Sequence, residues 1–240
     1  MYSQKLAQYC IEKLDLKNVA LGVEYYYSSL PLCVIDAVFS IGIRYVSTQN
    51  VVKRFCHYLN LEIFRKYQSA FPPMEQQYSL NRFIDFYQNN NLSFITNSVY
   101  ENKCRTSTNN GILKSQAVIE FAYVLQKYNV NYFQDISLVI NNTNFEKDIK
   151  NIKGQKSGKS LSYFFMLSGE ENLIKPDRMI ERFVEDCIGK KLSSFEIIKL
   201  FNEVIIILNN EFKNLTLRQL DYEIWKYESS NKKSKIMEIM

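Results

Sequence analysis

The turn at residues 152–158 combines glycines with a regular series of lysines. Gly154 and Gly158 stand just before an apolar stretch at 161–167 that is typical of a helix. Glycines at this place leave the first backbone amides of the helix free to bind a phosphate. We therefore predict contacts with a nucleic-acid backbone, although a run of charges is also the ordinary pattern of a solvated surface. Lysines recur here at every third position: Lys150, Lys153, Lys156 and Lys159.

Asp177 follows the apolar stretch after a short polar loop. It is preceded by Lys175 and Pro176, and helical spacing of apolar residues begins just after it, at Ile180. Aspartate is favoured at the beginning of a helix, where its carboxylate accepts backbone hydrogen bonds. Beside a phosphate-binding turn, the same carboxylate is a candidate catalytic group. Asp177 therefore has two interpretations, as a helix cap and as a catalytic residue.

The elements that would position these residues are predicted to be helices. Residues 32–43 are apolar on nearly every face and follow Pro31, which suits a first helical turn, so we predict a buried central helix there. Amphipathic spacing predicts further helices at 113–128 and 180–188. The alternation typical of strands does not persist anywhere, so the fold class is predicted to be all-α.

Two more helices are predicted near the end of the chain. One begins at Ser193 or Ser194, and the last begins at Thr216, whose capping-box partner is Gln219. The first of these two helices is expected to place the following residues on its core side: Phe195, Ile198, Phe201, Ile205 and Leu208.

The composition is that of a globular protein. The chain has 240 residues, of which 46% are hydrophobic and 23% charged, with only seven Gly and four Pro, which leaves little room for disordered linkers. We predict one domain over residues 1–228 and a basic tail over 229–240. The net charge of +5 permits a polyanionic partner without requiring one.

Cysteine usage and hydropathy exclude several classes of protein. The five cysteines are scattered and form no CxxC pair, so neither a disulfide framework nor a zinc site is expected, and a reducing cytoplasm fits best. The most apolar stretch, at 204–208, is too short to span a bilayer. We expect no cofactor, no metal, no membrane role and a monomeric protein.

Together, the hairpin at about 145–168, the helix that follows it and the aspartate before the next helix resemble the helix-hairpin-helix DNA glycosylase superfamily. The resemblance covers residues 30–228 and implies a two-lobed helical fold with a cleft between interleaved lobes. It also implies an enzyme that flips a base out of double-stranded DNA and cleaves the N-glycosidic bond of that base. By position, Asp177 would stabilise the oxocarbenium-like sugar or activate water. The strand backbone would be held by Lys153, Gly154, Lys156, Gly158 and Lys159.

The resemblance also suggests which residues enter the DNA. The family's base-displacing wedge usually follows the buried central helix, where this sequence has Gly42, Ile43, Arg44 and Tyr45. Arg44 and Tyr45 would fill the opened stack or contact the orphan base. Tyr26, within a run of three tyrosines, is a candidate for stacking on the flipped base, and packing against the core is the alternative.

The hairpin departs from the family pattern in its glycines. Lys156 occupies the place of the second family glycine, and Gly158 follows two residues later. Members with lyase activity carry a hairpin lysine that attacks the sugar as an amine nucleophile. Lys159 lies at about the right distance before Asp177, but the gap can equally place Gly158 there, so we expect a monofunctional hydrolase. Only Cys187 follows the hairpin, so the four-cysteine iron–sulfur cluster of some members is not expected.

The excised base is left open by the sequence. The resemblance extends to bacterial members associated with defence against phages whose DNA carries modified bases, such as glucosylated hydroxymethylcytosine. Housekeeping repair of alkylated or oxidised bases is an alternative. A DNA clamp without catalysis would bind DNA in a salt-dependent way and produce no abasic sites. A helical protein-interaction domain would not bind DNA.

Overall fold

The computed structural model describes residues 1–68 and 70–237, with side chains described as far as residue 230. Within these residues, β structure is limited to two isolated bridges, Tyr27 with Phe64 and Arg105 with Leu113, and the all-α prediction is confirmed. Shorter helical segments are the 3₁₀ turns Val23–Tyr26, Met74–Gln76 and Phe133–Leu138 and the π-helix Ile95–Val99. The α-helices are α1 (Tyr2–Lys13), α2 (Leu30–Phe39), α3 (Tyr45–Leu59), α4 (Leu80–Gln88), α5 (Leu92–Phe94), α6 (Lys114–Lys127), α7 (Thr143–Asn151), α8 (Lys159–Leu167), α9 (Arg178–Ile188), α10 (Ser194–Leu208) and α11 (Leu217–Met237).

The chain divides into two compact units. The central unit is continuous in sequence, Val23–Gly169, and contains α2 to α8. The terminal unit combines Met1–Gly22 with Glu170–Met240, so that α1 belongs with α9, α10 and α11. None of the helices in the described part of the chain is long and apolar enough to cross a membrane.

The central unit is built around α2. Every residue of this helix is buried, and the helix packs against α3, α4, α6 and α8. Pro31 lies in the first turn, as predicted, because a missing amide proton costs nothing there. The helix ends at Phe39 rather than at residue 43, and the chain then takes a positive φ of 75° at Gly42, which does not continue a helix.

The terminal unit has a core formed by one face of each of its helices. The buried face of α9 contains Ile180, Phe183 and Val184, as the spacing predicted. Phe183 also packs against the ring of Tyr9 on α1, with ring centroids 4.9 Å apart.

The predicted core side of α10 is partly wrong. Of the two serines predicted as caps, Ser193 is the N-cap, and its side chain and that of Glu196 each accept a backbone hydrogen bond of the other. Phe195 is 77% exposed, however, and Ile198 is 40% exposed. Because α10 carries apolar residues on most of its circumference, spacing alone does not decide which face packs against α1. The residues of α10 that are buried are Ile197, Leu200, Phe201, Val204 and Leu208.

The last helix begins as predicted and extends further. Thr216 and Gln219 form the expected reciprocal contacts, with Gln219 N donating to Thr216 Oγ1 at 3.2 Å and Thr216 N donating to Gln219 Oε1 at 2.9 Å. The segment predicted as a basic tail, 229–240, is helical as far as Met237. Its lysine side chains lie outside the described residues.

Candidate functional site

The helix–turn–helix of the central unit contains the predicted backbone-binding residues. Helices α7 and α8 are joined by the turn 152–158, in which Gly154 has a φ of 91° and Gly158 a φ of 71°. Side chains with a Cβ rarely adopt such values, so both glycines are required by the turn. The turn is fixed internally by a hydrogen bond from Ser160 Oγ to Oε1 of the buried Gln155.

The N-terminus of α8 has no side-chain cap. Gly158 is its N-cap and supplies no side chain, and the nearest substitute is a long contact of 3.4 Å from the amide of Lys159 to Ser157 Oγ. The first amides of a helix carry partial positive charge and donate readily to a phosphate oxygen. In α8 these amides have no side-chain cap.

The lysines of the turn differ in their surroundings. Lys153 and Lys156 are exposed, and Lys159 is half-buried at the first position of α8. Lys150, the fourth member of the series, forms an ion pair with Glu146 one helical turn earlier on α7. Lys153 and Lys156 are thus the exposed lysines of the turn itself.

A second segment of the central unit supports this turn from outside. Residues 104–106 pair with 112–114 through hydrogen bonds from Thr106 N to Ile112 O and from Lys114 N to Cys104 O, both 2.9 Å. A Cβ on Gly154 would overlap the side chain of Thr106, so the two backbones approach closely only because residue 154 is glycine. The turn and the 104–114 segment therefore form one packed surface.

Asp177 caps a helix of the terminal unit. It is the N-cap of α9, and its Oδ1 accepts hydrogen bonds from Met179 N at 2.8 Å and from Ile180 N at 3.4 Å. Its Oδ2 lies 3.4 Å from Nζ of Lys175, and the Asp177 side chain is 27% exposed. One oxygen thus holds the helix, the other has a counter-charge, and the side chain as a whole is partly exposed.

A second carboxyl group, that of Asp221, lies near the pair of Lys175 and Asp177. Asp221 of α11 is 5% exposed, and its Oδ1 accepts a hydrogen bond from the backbone amide of Lys175 at 2.8 Å. Burial raises the pKa of Asp221 to about 7, with a smaller contribution from the nearby charge of Asp177, while Lys175 opposes the shift. The loop that delivers Asp177 is therefore fixed to α11 through Lys175.

The segment predicted as a wedge is divided between the surface and the interior. Arg44 is exposed as the N-cap of α3. Tyr45 turns inward, where its hydroxyl donates to Oδ2 of the fully buried Asp36 at 3.3 Å; Tyr27 donates to the same oxygen at 2.8 Å. A tyrosine held in this way is not disposed to enter a base stack, so Arg44 alone keeps the predicted exposure.

The backbone carbonyl groups just before Arg44, at the end of α2, accept hydrogen bonds from a buried lysine. Lys114, 1% exposed, donates from Nζ to the carbonyl oxygens of Phe39, at 2.7 Å, and of Ile41. Desolvation lowers the pKa of its ammonium group to about 8. Lys114 thereby satisfies carbonyls at the end of α2 that no helical amide reaches.

The three tyrosines at 25–27 have different roles in the central unit. Tyr25 and Tyr27 are buried, and Tyr25 packs edge-on against Tyr163 of α8 with ring centroids 6.5 Å apart. Tyr26 is half-buried, and the guanidinium of Arg65 lies over its ring at 5.3 Å. Packing therefore accounts for Tyr25 and Tyr27, and Tyr26 retains a partly accessible ring.

The predicted site residues are divided between the two units. The turn residues Lys153 to Lys159, together with Tyr26 and Arg44, belong to the central unit, whereas Asp177 belongs to the terminal unit. All five cysteines are free thiols, and the described residues contain no group of three or more histidine, cysteine or acidic side chains arranged to hold a metal ion.

Sequence reasoning missed two features of these surfaces. The contact of Lys175 with Asp177 had a local signal, because the two residues are separated only by Pro176. The exposed pair Lys103 and Arg105 also had a local signal in the sequence, because residues two apart in an extended segment point to the same side.

One family model, for a domain of unknown function (DUF8548), matches residues 4–229. Searches among curated proteins and among solved structures give no significant match. The matched range includes the hairpin turn, Arg44, Tyr26 and Asp177.

Proposed function

The chain belongs to the DUF8548 family, and from its own residues we propose that it is a DNA glycosylase of the helix-hairpin-helix type. The observation that carries the proposal is a helix–turn–helix with two positive-φ glycines and exposed lysines, followed one loop later by a partly exposed aspartate at the start of the next helix. We further propose that the central and terminal units correspond to the interleaved lobes of that fold.

In the proposed reaction, the turn holds the DNA backbone. The amides at the N-terminus of α8 bind a phosphate, and Lys153 and Lys156 add positive charge. A base leaves the stack, and Arg44 occupies the vacated space. These contacts position the nucleotide without reading its sequence.

Asp177 acts on the sugar of the flipped nucleotide. As the bond between C1′ and the base nitrogen breaks, the bonding electrons leave with the base, and the sugar becomes positively charged. The carboxylate at Oδ2 stabilises that charge, and water then adds to C1′ and releases a proton. The ammonium of Lys175 lies 3.4 Å from Oδ2 and pairs with it.

We propose a monofunctional enzyme, without lyase activity. Gly158 has no side chain, and Lys159 is the first residue of α8. A hydrolase leaves an intact strand that breaks only on treatment with alkali. A lyase would break the strand directly and would be trapped on DNA by borohydride, and Lys159→Gln would abolish both effects.

The test uses wild-type protein and Asp177→Asn on DNA that carries alkylated, oxidised, deaminated or glucosylated bases, with abasic sites as the readout. Asparagine also caps helices well, so this variant should fold. The matched control is Asp186→Asn, the same change at an exposed position of α9. We expect abasic sites with wild type and control and none with Asp177→Asn, which should still bind DNA. Equal turnover of all three proteins would contradict the role of Asp177.

A DNA clamp without catalysis is the second candidate, and a specific observation favours it. Asp177 already has structural partners, since it caps α9 and pairs with Lys175. If no DNA of the panel yields abasic sites while binding remains strong and salt-dependent, this function replaces the first.

A further inference from the structure

The central unit has a surface pocket between the segment 92–97 and the paired segment 103–113. Its volume is about 440 Å³, comparable with small ligand sites. Leu92 and Leu113 supply apolar walls, Ser93 and Asn97 supply polar groups, and Lys103 and Arg105 supply positive charge.

One wall of the pocket is a π-helix. The segment Ile95–Val99 follows α5 directly, and Tyr100 N donates to Ile95 O at 2.8 Å across the wide turn. Short π-helical turns are rare and occur frequently at functional sites. Here the widened turn brings Thr96 and Asn97 into the lining. Thr96 is also tied to α6, since its Oγ1 lies 2.6 Å from Ser115 Oγ, which makes this wall rigid.

The opposite wall presents two cations. Lys103 and Arg105 are both exposed and lie two positions apart in an extended segment, so they face the same side. The Arg105 guanidinium is held by a hydrogen bond of 2.7 Å from Nη1 to Gly111 O. The lining contains no acidic side chain, and the neighbouring Glu101 is paired with Arg54 at 2.9 Å. The pocket therefore suits an anion that carries an apolar body.

The pocket is connected to the hairpin turn. Thr106, the residue after Arg105, is the one that packs against Gly154. The wall with the two cations is thus part of the surface that supports the phosphate-binding turn. An anion bound there would lie on the same unit as the phosphate at α8.

We propose that this pocket binds a nucleotide, with the phosphate at Lys103 and Arg105 and the sugar against Leu92 and Leu113. A phosphorylated sugar has the required combination of an anion and a less polar body. The nucleotide is either part of the DNA strand held by the hairpin or a free mononucleotide. The first source rests on the proposed function, and the second does not.

The experiment compares binding by wild type, by three pocket variants and by one control variant. Lys103→Gln and the double variant Lys103→Gln, Arg105→Gln remove charge, and Lys191→Gln is the control at an exposed lysine of the terminal unit. Asn97→Trp fills the pocket and leaves its charge in place. The probes are a DNA duplex at several salt concentrations and 2′-deoxyadenosine 5′-monophosphate, with deoxyadenosine as the probe that lacks phosphate.

If the DNA strand occupies the pocket, the double variant should bind duplex more weakly, with the slope of log affinity against log salt smaller by about 1. Asn97→Trp should also weaken binding, whereas Lys191→Gln should not. If a free nucleotide occupies it, the monophosphate should bind wild type and fail to bind the double variant and Asn97→Trp, with duplex affinity unchanged.

The proposal is overturned if the pocket variants match wild type with both probes, or if deoxyadenosine binds as well as its monophosphate. These outcomes are separate from the test of the proposed function. If the wild type produces abasic sites and the pocket variants bind both probes as the wild type does, only the pocket proposal is refuted. Monophosphate binding by a protein that produces no abasic sites would refute only the glycosylase.

Discussion

Lys175 contacts Asp177 with its side chain, at 3.4 Å from Nζ to Oδ2, and is itself fixed through its backbone amide, which donates to Asp221 at 2.8 Å. The position of Asp177 Oδ2 thus depends on a carboxylate of α11 that is far away in sequence. In this group, a buried carboxyl group, Asp221, and a partly exposed one, Asp177, lie near the ammonium group of Lys175. Because Asp221 is buried near a second carboxyl group, its titration should make the stability of the protein depend on pH.

Asp221→Asn should remove a pH dependence of stability. Because the pKa of Asp221 is raised from 3.8 to about 7, the folded protein binds a proton that the unfolded chain has lost between these values. The wild type should therefore lose stability relative to the variant as the pH rises from 4 to 7, by at most about 4 kcal/mol, and no further above that range. Asparagine keeps the acceptor for the Lys175 amide.

Urea unfolding at several pH values from 4 to 8 measures this difference. Lys175→Met serves as a second variant, since removal of the ammonium group that lowers the pKa of Asp221 should make the loss with pH larger. A constant difference between wild type and Asp221→Asn over the whole range would contradict the buried, proton-binding state of this carboxyl group.

Lys114→Met should reveal the opposite dependence. The pKa of Lys114 is lowered from 10.5 to about 8, so between these values the unfolded chain binds more protons than the folded one. The wild type should thus gain stability relative to the variant as the pH rises through this interval, by at most about 3 kcal/mol. Lys17→Met, at an exposed lysine, should show no such change. The free energy of unfolding is measured by urea at the two ends of this pH interval. If Lys114→Met and Lys17→Met change in the same way relative to wild type, a buried ammonium group at Lys114 is excluded.

The sequence contained the signals for most helices, including one that we did not predict. Helix α3 buries Thr48, Val51, Val52, Phe55 and Cys56, which is the spacing of an amphipathic helix. In the Asn-rich segment 141–144, Asn142 caps α7, because its Oδ1 accepts hydrogen bonds from the amides of Asn144 and Phe145 at 3.1 Å. Local patterns thus predict where helices lie.

Contacts between distant residues are less accessible to such reasoning. Tyr45 follows Arg44 in a polar segment, and its inward direction depends on Asp36 and Tyr27, which the fold brings together. The two glycines of the hairpin were identified from their types, since a turn before a helix needs them. The partner of Gly154, Thr106, belongs to a different segment, and no pattern in the sequence indicates that contact.

Helix α10 offers a direct check on the choice between two apolar faces. Phe201 is fully buried and Phe195 is 77% exposed. Phe201→Ala should lower the free energy of unfolding by about 3–5 kcal/mol through loss of burial and formation of a cavity. Phe195→Ala should change it by no more than about 0.5 kcal/mol. Urea unfolding of both variants at one pH suffices, and a reversed order would mean that α10 packs with its other face inward.

Gly154→Ala should damage the hairpin turn through two separate effects. An alanine at a φ of 91° is strained, and its Cβ would in addition overlap the side chain of Thr106. Gly42→Ala is the matched control, because Gly42 has a similar φ of 75° with nothing near the added Cβ. The control should lose about 1 kcal/mol from strain alone, and Gly154→Ala should lose clearly more.

The second effect is isolated by adding Thr106→Gly to Gly154→Ala, since the overlap then disappears while the strain remains. The double variant should therefore be destabilised less than the sum of the two single changes, as measured by urea unfolding. Under the proposed function, DNA affinity measured on the same proteins should fall as the turn is destabilised, because the proposed phosphate contacts of the α8 amides depend on an intact turn. Additive losses would show that Thr106 does not support the turn.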